Sequence, residues 1–154
     1  MSQAVKEFDN KIHILEKLLY KDPGYTSGCS MDKWWWVSLE YPHVTPACKF
    51  MIKMKTANAP LKIKTFHYDH TTKTCPLCNT EDETVEHFLF TCPLLTSSRV
   101  ILQNHLREIT QNPIHSVQDI VNPSQHLDSC LVRDLGIIVY NMFKTRKQLI
   151  DDIT

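Results

Sequence analysis

The sequence predicts a mostly α-helical fold, and three observations carry that expectation. Only three of the 154 residues are glycine, too few for the many turns of a β-sandwich or barrel. Apolar residues recur at the i, i+3, i+4 and i+7 spacing of a helix face over long stretches rich in Leu, Ile, Lys and Gln. The chain is 42% apolar and 22% charged, ordinary for a globular protein long enough to bury a core.

Residues 3–21 read as an amphipathic helix, with Val5, Phe8, Ile12, Leu15, Leu18 and Leu19 on one face and Asp22-Pro23-Gly24 as its stop. Residues 22–33 are polar and loop-like. Trp34, Trp35 and Trp36 open a short apolar segment that Pro42 closes. Three adjacent tryptophans cannot all face one way on any element, so core burial is a better reading than an exposed stacking platform.

A second helix is expected from Thr45 as N-cap, with Pro46 at the first helical position. Phe50, Met51 and Met54 would lie opposite Lys49 and Lys53, and Asn58-Ala59-Pro60 breaks the helix. Residues 61–66 fit a short strand or a helical turn equally. Residues 94–109 form a third helix built on Leu95, Val100, Leu102, Leu106 and Ile109, and a short one follows around Ser116 to Val121. Ser124 can cap the longest, which runs to about Ile150 on a stripe of Leu127, Leu131, Leu135, Ile138, Val139, Met142 and Phe143. Gly136 weakens that helix by roughly 1 kcal/mol relative to alanine, which points to a close packing contact. Three segments result: residues 1–43, with the first helix and the tryptophans; 44–93, basic helix plus finger; and 94–154, helices packing on it.

The middle segment carries the chemistry. Cys75-Pro76-Leu77-Cys78 is followed after eight residues by His87 and after four more by Cys92. Zinc takes four such ligands in a tetrahedron, and Cys₃His is a closed structural set with no open position for water. One structural Zn²⁺ on Cys75, Cys78, His87 and Cys92 is therefore expected. A Cys-x-x-Cys turn lets two thiolates meet one ion while backbone N–H groups point at the sulfurs. Thr80-x-x-Glu83 has the form of a capping box for the next helix, whose apolar face would be Val85, Phe88 and Leu89. On an unbroken α-helix His87 and Cys92 would lie about 140° apart. Pro93 disfavours α geometry at Cys92, so the chain should leave the helix there and turn the thiolate back. A redox role for the Cys-x-x-Cys pair would need a thioredoxin-like βαβ setting, which is absent. His67 and His70 read as surface histidines, and Cys29, Cys48 and Cys130 as scattered core or surface thiols.

The stretch from Ala47 to Pro93 resembles the zinc-binding region at the C-terminal end of non-LTR retrotransposon reverse transcriptases. The resemblance rests on Lys53-Met54-Lys55-Thr56-Ala57-Asn58-Ala59-Pro60-Leu61-Lys62, on Cys75-Pro76-Leu77-Cys78, and on Glu83-Thr84-Val85-Glu86-His87-Phe88-Leu89-Phe90-Thr91-Cys92-Pro93. Where this chain has Lys55-Thr56-Ala57-Asn58, the family phrase usually has Arg-Thr-Gly-His. The resemblance implies a region that engages RNA or DNA beside a polymerase, here as a detached or domesticated tail or an expressed remnant. No polymerase box, four-carboxylate nuclease set or restriction-like Pro-Asp pair accompanies it, so no enzymatic activity is expected. Asp119, Asp128 and Asp134 read as solvated helix faces.

Zero net charge hides an uneven distribution. Residues 44–74 hold Lys49, Lys53, Lys55, Lys62, Lys64 and Lys73 against Asp69 alone, whereas residues 75–92 hold Glu81, Asp82, Glu83 and Glu86 and no Lys or Arg. The basic block, with Phe66, Tyr68 or a tryptophan as stacking residues, suits nucleic acid, RNA above a specific duplex sequence. The acidic finger and the long terminal helices suit instead a protein adaptor or a homo-oligomer. The N-terminus carries charges where a signal peptide needs an apolar run, and no stretch approaches the roughly 18 apolar residues of a membrane span. The expectation is an intracellular protein, nuclear or nucleocytoplasmic, with its thiols reduced.

Overall fold

The computed structural model describes residues 32–62, 73–110 and 115–154. The helix expected over residues 3–21, the loop up to residue 31 and most of the ambiguous 61–66 segment lie outside them. The described residues are mostly α-helical, with one isolated antiparallel bridge, Thr74 to Asp82. None of their helices is long and apolar enough to cross a membrane.

The tryptophan segment is a helix, α1 (Lys33–Glu40), started by the Asp32 carboxylate, which accepts the Trp34 N–H. Helical geometry separates the three indoles. Trp34 is fully buried and donates its Nε1–H to the Val121 carbonyl at 2.8 Å, while Trp36 is 46% exposed. A 3₁₀ turn, Pro42–Val44, leads into α2 (Thr45–Lys55). Thr45 does not cap as expected, because its hydroxyl donates backwards to the Pro42 carbonyl.

Helix α2 buries Ala47, Cys48, Phe50, Met51 and Met54. It ends in paired hydrogen bonds, Asn58 N–H to Lys53 carbonyl at 2.7 Å and Ala57 N–H to Met54 carbonyl at 3.2 Å, the pattern of a Schellman cap. That cap places Ala57 at φ 58°. Glycine is the usual residue there because it has no Cβ to crowd the carbonyl, and Ala57 stands where the resembled phrase carries glycine.

After a second 3₁₀ turn, Pro93–Leu95, α3 (Thr96–Ile109) buries Arg99, Leu102, His105 and Leu106. Val100, expected on that face, is 50% exposed, since it lies about 200° around the helix from Leu102. The short α4 (Val117–Val121) has a true capping box. Ser116 Oγ accepts the Asp119 N–H, and Asp119 Oδ2 accepts the Ser116 N–H. Helix α5 (Ser129–Ile153) is capped by Asp128 rather than Ser124. Two of the three acids read as solvated faces are thus caps, and Asp134 pairs with Arg133.

Helix α5 is the spine, packed against α1, α2 and α3. Its inward line is Val132, Leu135, Gly136, Val139, Met142 and Arg146. Trp34, Met51, Leu89, Leu102 and Leu135 belong to one buried cluster, so the tryptophan segment, the finger and the terminal helices share a core. Gly136 makes the close contact expected of it: a Cβ there would stand 2.9 Å from Cζ3 of Trp34.

Two substitutions should move stability in opposite directions against the simple propensity ranking. Gly136→Ala should lower unfolding free energy by about 1–3 kcal/mol despite the better helix former, because the held indole cannot yield. Ala57→Gly should raise it by about 0.5–1 kcal/mol by relieving the left-handed alanine. Chemical denaturation of both variants beside the parent chain reads each sign directly.

Candidate metal centre

Cys75 and Cys78 sit on a tight turn that Asn79 closes at φ 54°, with its N–H bonded to the Cys75 carbonyl at 2.9 Å. Asparagine tolerates this left-handed geometry better than most residues. Two short antiparallel arms hold the turn, through Cys75 N–H to Glu81 carbonyl and Glu83 N–H to Lys73 carbonyl. As the Cys-x-x-Cys geometry suggested, Leu77 and Cys78 N–H groups point at the Cys75 sulfur, and Thr80 and Glu81 N–H groups at that of Cys78.

The second pair arrives differently from expectation. Thr80 and Glu83 form no capping box. Thr84 starts the helix instead, its hydroxyl accepting the His87 N–H at 3.0 Å. Residues His87–Thr91 then make a single π-helical turn, closed by the Cys92 N–H on the His87 carbonyl at 2.9 Å. An i→i+5 bond winds less per residue than an α-helix. The wider turn brings Cys92 round onto the His87 side, removing most of the angular gap. Cys92 itself is extended, at φ −60° and ψ 118°, as Pro93 requires of its predecessor.

Cys75, Cys78, His87 and Cys92 thereby place one ligand atom each within 4.8 Å of all the others, and the group could hold one metal ion. Cys75 Sγ and Cys92 Sγ are 3.9 Å apart, and Cys78 Sγ and His87 Nε2 are 3.4 Å apart. A tetrahedral ion with zinc-like bond lengths asks for about 3.8 Å between sulfurs and about 3.5 Å between sulfur and nitrogen. Both measured edges fit. With Nε2 turned to the thiols, His87 Nδ1–H points at Glu81 Oε2, 2.9 Å away, and Thr91 Oγ1 lies equally close. A carboxylate on the outer nitrogen is the usual device for fixing a ligating imidazole.

The thiols differ. Burial opposes ionisation of Cys78, but hydrogen bonds from the Thr80 hydroxyl and the Thr80 and Glu81 amides outweigh it and bring the pKa down to about 6. Burial, with the neighbouring Cys75 and Cys78 sulfurs, pushes Cys92 up to about 12. Cys75 is likewise raised, first by burial. A cation would have to displace the protons of those two. Cys48 is a core thiol, pushed up to about 11 by burial and then by Asp32, and Cys130 is half-buried. Cys29, His67 and His70 lie outside the described residues.

Two arginines that sequence reading did not single out, and Glu83 in a role other than the capping one expected of it, support the centre. Arg99 is buried and donates to the Leu89 and Cys92 carbonyls at 3.1 and 2.6 Å, satisfying the acceptors that the π turn and the extended Cys92 leave over. Glu83 is 1% exposed; its carboxylate receives Arg146 Nη2 at 2.8 Å and the Lys62 N–H at 2.8 Å. A signal for both arginines was present: each falls in phase with an apolar stripe, Arg99 with Leu95, Leu102 and Leu106, and Arg146 with Leu135, Val139 and Met142.

Of the basic residues, Lys49, Lys53, Lys62 and Lys73 are exposed. Lys55 is engaged by Asp32, and Lys64 lies outside the described residues, as do Phe66 and Tyr68. Compared with protein-family models, curated proteins and solved structures, the chain matches none.

Two outcomes test the centre. Binding of Zn²⁺ at pH 7.5 should release about two protons, from Cys75 and Cys92, because Cys78 is already a thiolate above its pKa of about 6. Below that pH the count should climb and affinity should fall, which calorimetry in buffers of different ionisation enthalpy measures. Glu83→Ala strands Arg146 as a buried unpaired charge and should cost about 3–5 kcal/mol of stability; a thermal melt unchanged from the parent chain would contradict the pair's role.

Proposed function

We propose that the metal is zinc, held structurally by Cys75, Cys78, His87 and Cys92, and that the chain is a nucleic-acid-binding module without polymerase or nuclease activity. Four protein ligands leave a metal no open position, which supports a structural role over a catalytic one. The observation that carries the binding reading is the sorting of charge. Lys49, Lys53 and Lys62 stand exposed, and no ion pair engages them among the described residues. Of the finger's acids, Glu83 is spent inward on Arg146, and Glu81, though exposed, is held by His87. The resemblance of residues 53–62, 75–78 and 83–93 to retrotransposon reverse transcriptase tails supports the same reading, and with it an RNA or DNA ligand in the nucleus or nucleocytoplasm.

A protein partner or a second copy is the alternative, favoured by Leu94, Val100 and Ile101, which are 50%, 50% and 59% exposed on and just before α3. A concentration-dependent dimer in light scattering that Ile101→Lys abolishes would favour it.

The test of the main reading is a titration of labelled single-stranded RNA and duplex DNA at about 50 and about 200 mM salt. Three phosphate contacts on a single strand predict a roughly twenty-fold loss over that range. Lys49→Glu/Lys53→Glu/Lys62→Glu should abolish binding without changing the melting temperature. Absence of binding at the lower salt, or binding indifferent to the charge reversal, sinks the reading.

A further inference from the structure

Between α2, the segment at Pro60 and α5 lies a groove of about 250 Å³. Its floor is Phe50, packed on Phe143 with ring centroids 4.5 Å apart and on Tyr140 at 5.7 Å. Lys49 and Lys53, one turn apart on α2, stand on its rim. Lys144 lies over the Tyr140 ring, its Nζ 5.1 Å from the centroid. Phe143 in turn meets Phe88, the neighbour of His87, edge-on at 6.4 Å, so the finger buttresses the groove.

We infer that this groove is a stacking subsite for one unpaired base of a single-stranded nucleic acid, with Lys49, Lys53 and Lys144 taking the phosphates on either side. The inference rests on the nucleic-acid reading above and adds the place of contact and the form of the strand. The volume is below the roughly 300–1,000 Å³ of sites for larger ligands and suits a single planar ring. Tyr140 and Phe143 are half-buried; Phe143 is held between Phe50 and the Arg146 guanidinium, 5.7 Å from its centroid, so Tyr140 is the ring that meets the groove. A base within a duplex is stacked on both faces and cannot reach such a floor, whereas an unpaired base offers a π face whatever its identity. Lys144 is exposed, and its contact with Tyr140 is of the weak surface kind. It can swing from the ring to a phosphate as the base enters. No ion pair engages Lys49, Lys53 or Lys144 among the described residues, so each ammonium is available to an anion.

The experiment uses the full zinc-loaded chain and a fluorescent 12-nucleotide oligouridine, one version carrying a single 5-iodouridine for photo-crosslinking. The crosslink should map to the peptide holding Tyr140 and Phe143. Tyr140→Leu should weaken binding about ten-fold with the salt slope unchanged, and Tyr140→Phe should keep wild-type affinity. Lys49→Gln and Lys53→Gln should each lower the slope by about 0.7. If wild type binds but Tyr140→Leu binds equally well and the crosslink lies elsewhere, the groove is not the subsite while the nucleic-acid reading stands. If poly-glutamate competes as well as the oligonucleotide, charge alone fills the groove and the inference is wrong. If wild type does not bind at about 50 mM salt, both fall together. Should Tyr140→Leu melt early, the crosslink on the unaltered chain decides alone.

Discussion

One buried ion pair, among the described residues, joins the finger to the long helix α5. Glu83 closes the arms around the Cys75–Cys78 turn, and Arg146 rises from the inward line of α5, 63 residues later in sequence. Each would be expensive to bury alone, since a lone charge loses its water and gains nothing. Together they satisfy one another, and Glu83 also anchors the Lys62 amide. The pair and the burial of Leu77, Phe88 and Leu89 in the shared core together define which side of the finger meets α5.

The geometry of the four metal-ligand candidates depends on two departures from regular structure. One is the left-handed Asn79, which lets Cys75 and Cys78 face the same point. The other is the π turn that ends at Cys92. Proline at position 93 makes α geometry unfavourable at Cys92, and the unused carbonyls are taken by Arg99 rather than by water. The thiols and the imidazole are thus brought close by backbone hydrogen bonds and buried arginine, and a metal would find the spacing already near its own.

Folding also changes how charge should be counted. An acidic finger beside a basic block suggests two opposed surfaces, but Glu83 is inside, so the acidic surface is Glu81, Asp82 and Glu86 alone. On the basic side Lys55 turns to Asp32, while Lys49 and Lys53 remain on the rim of an aromatic groove. That groove draws on α2 and α5, which are distant in sequence, and no local pattern contains it.

By itself the sequence determined what local physics decides. Periodicity identified α2 through α5 with boundaries close to those observed, glycine in a long helix marked the contact with Trp34, and cysteine and histidine spacing marked the four side chains that cluster as candidate ligands. Local rules erred where two partners compete for one group. Thr80-x-x-Glu83 has the spacing of a capping box, yet Arg146 offers Glu83 a buried charge, which outweighs a backbone cap. Ser124 can cap a helix, but Asp128 stands nearer the first residue that packs. Only the tertiary structure decided these, because burial of a charge, the phase of a helix and the shape of a groove are properties of two surfaces in contact. A sequence read in order describes one surface at a time.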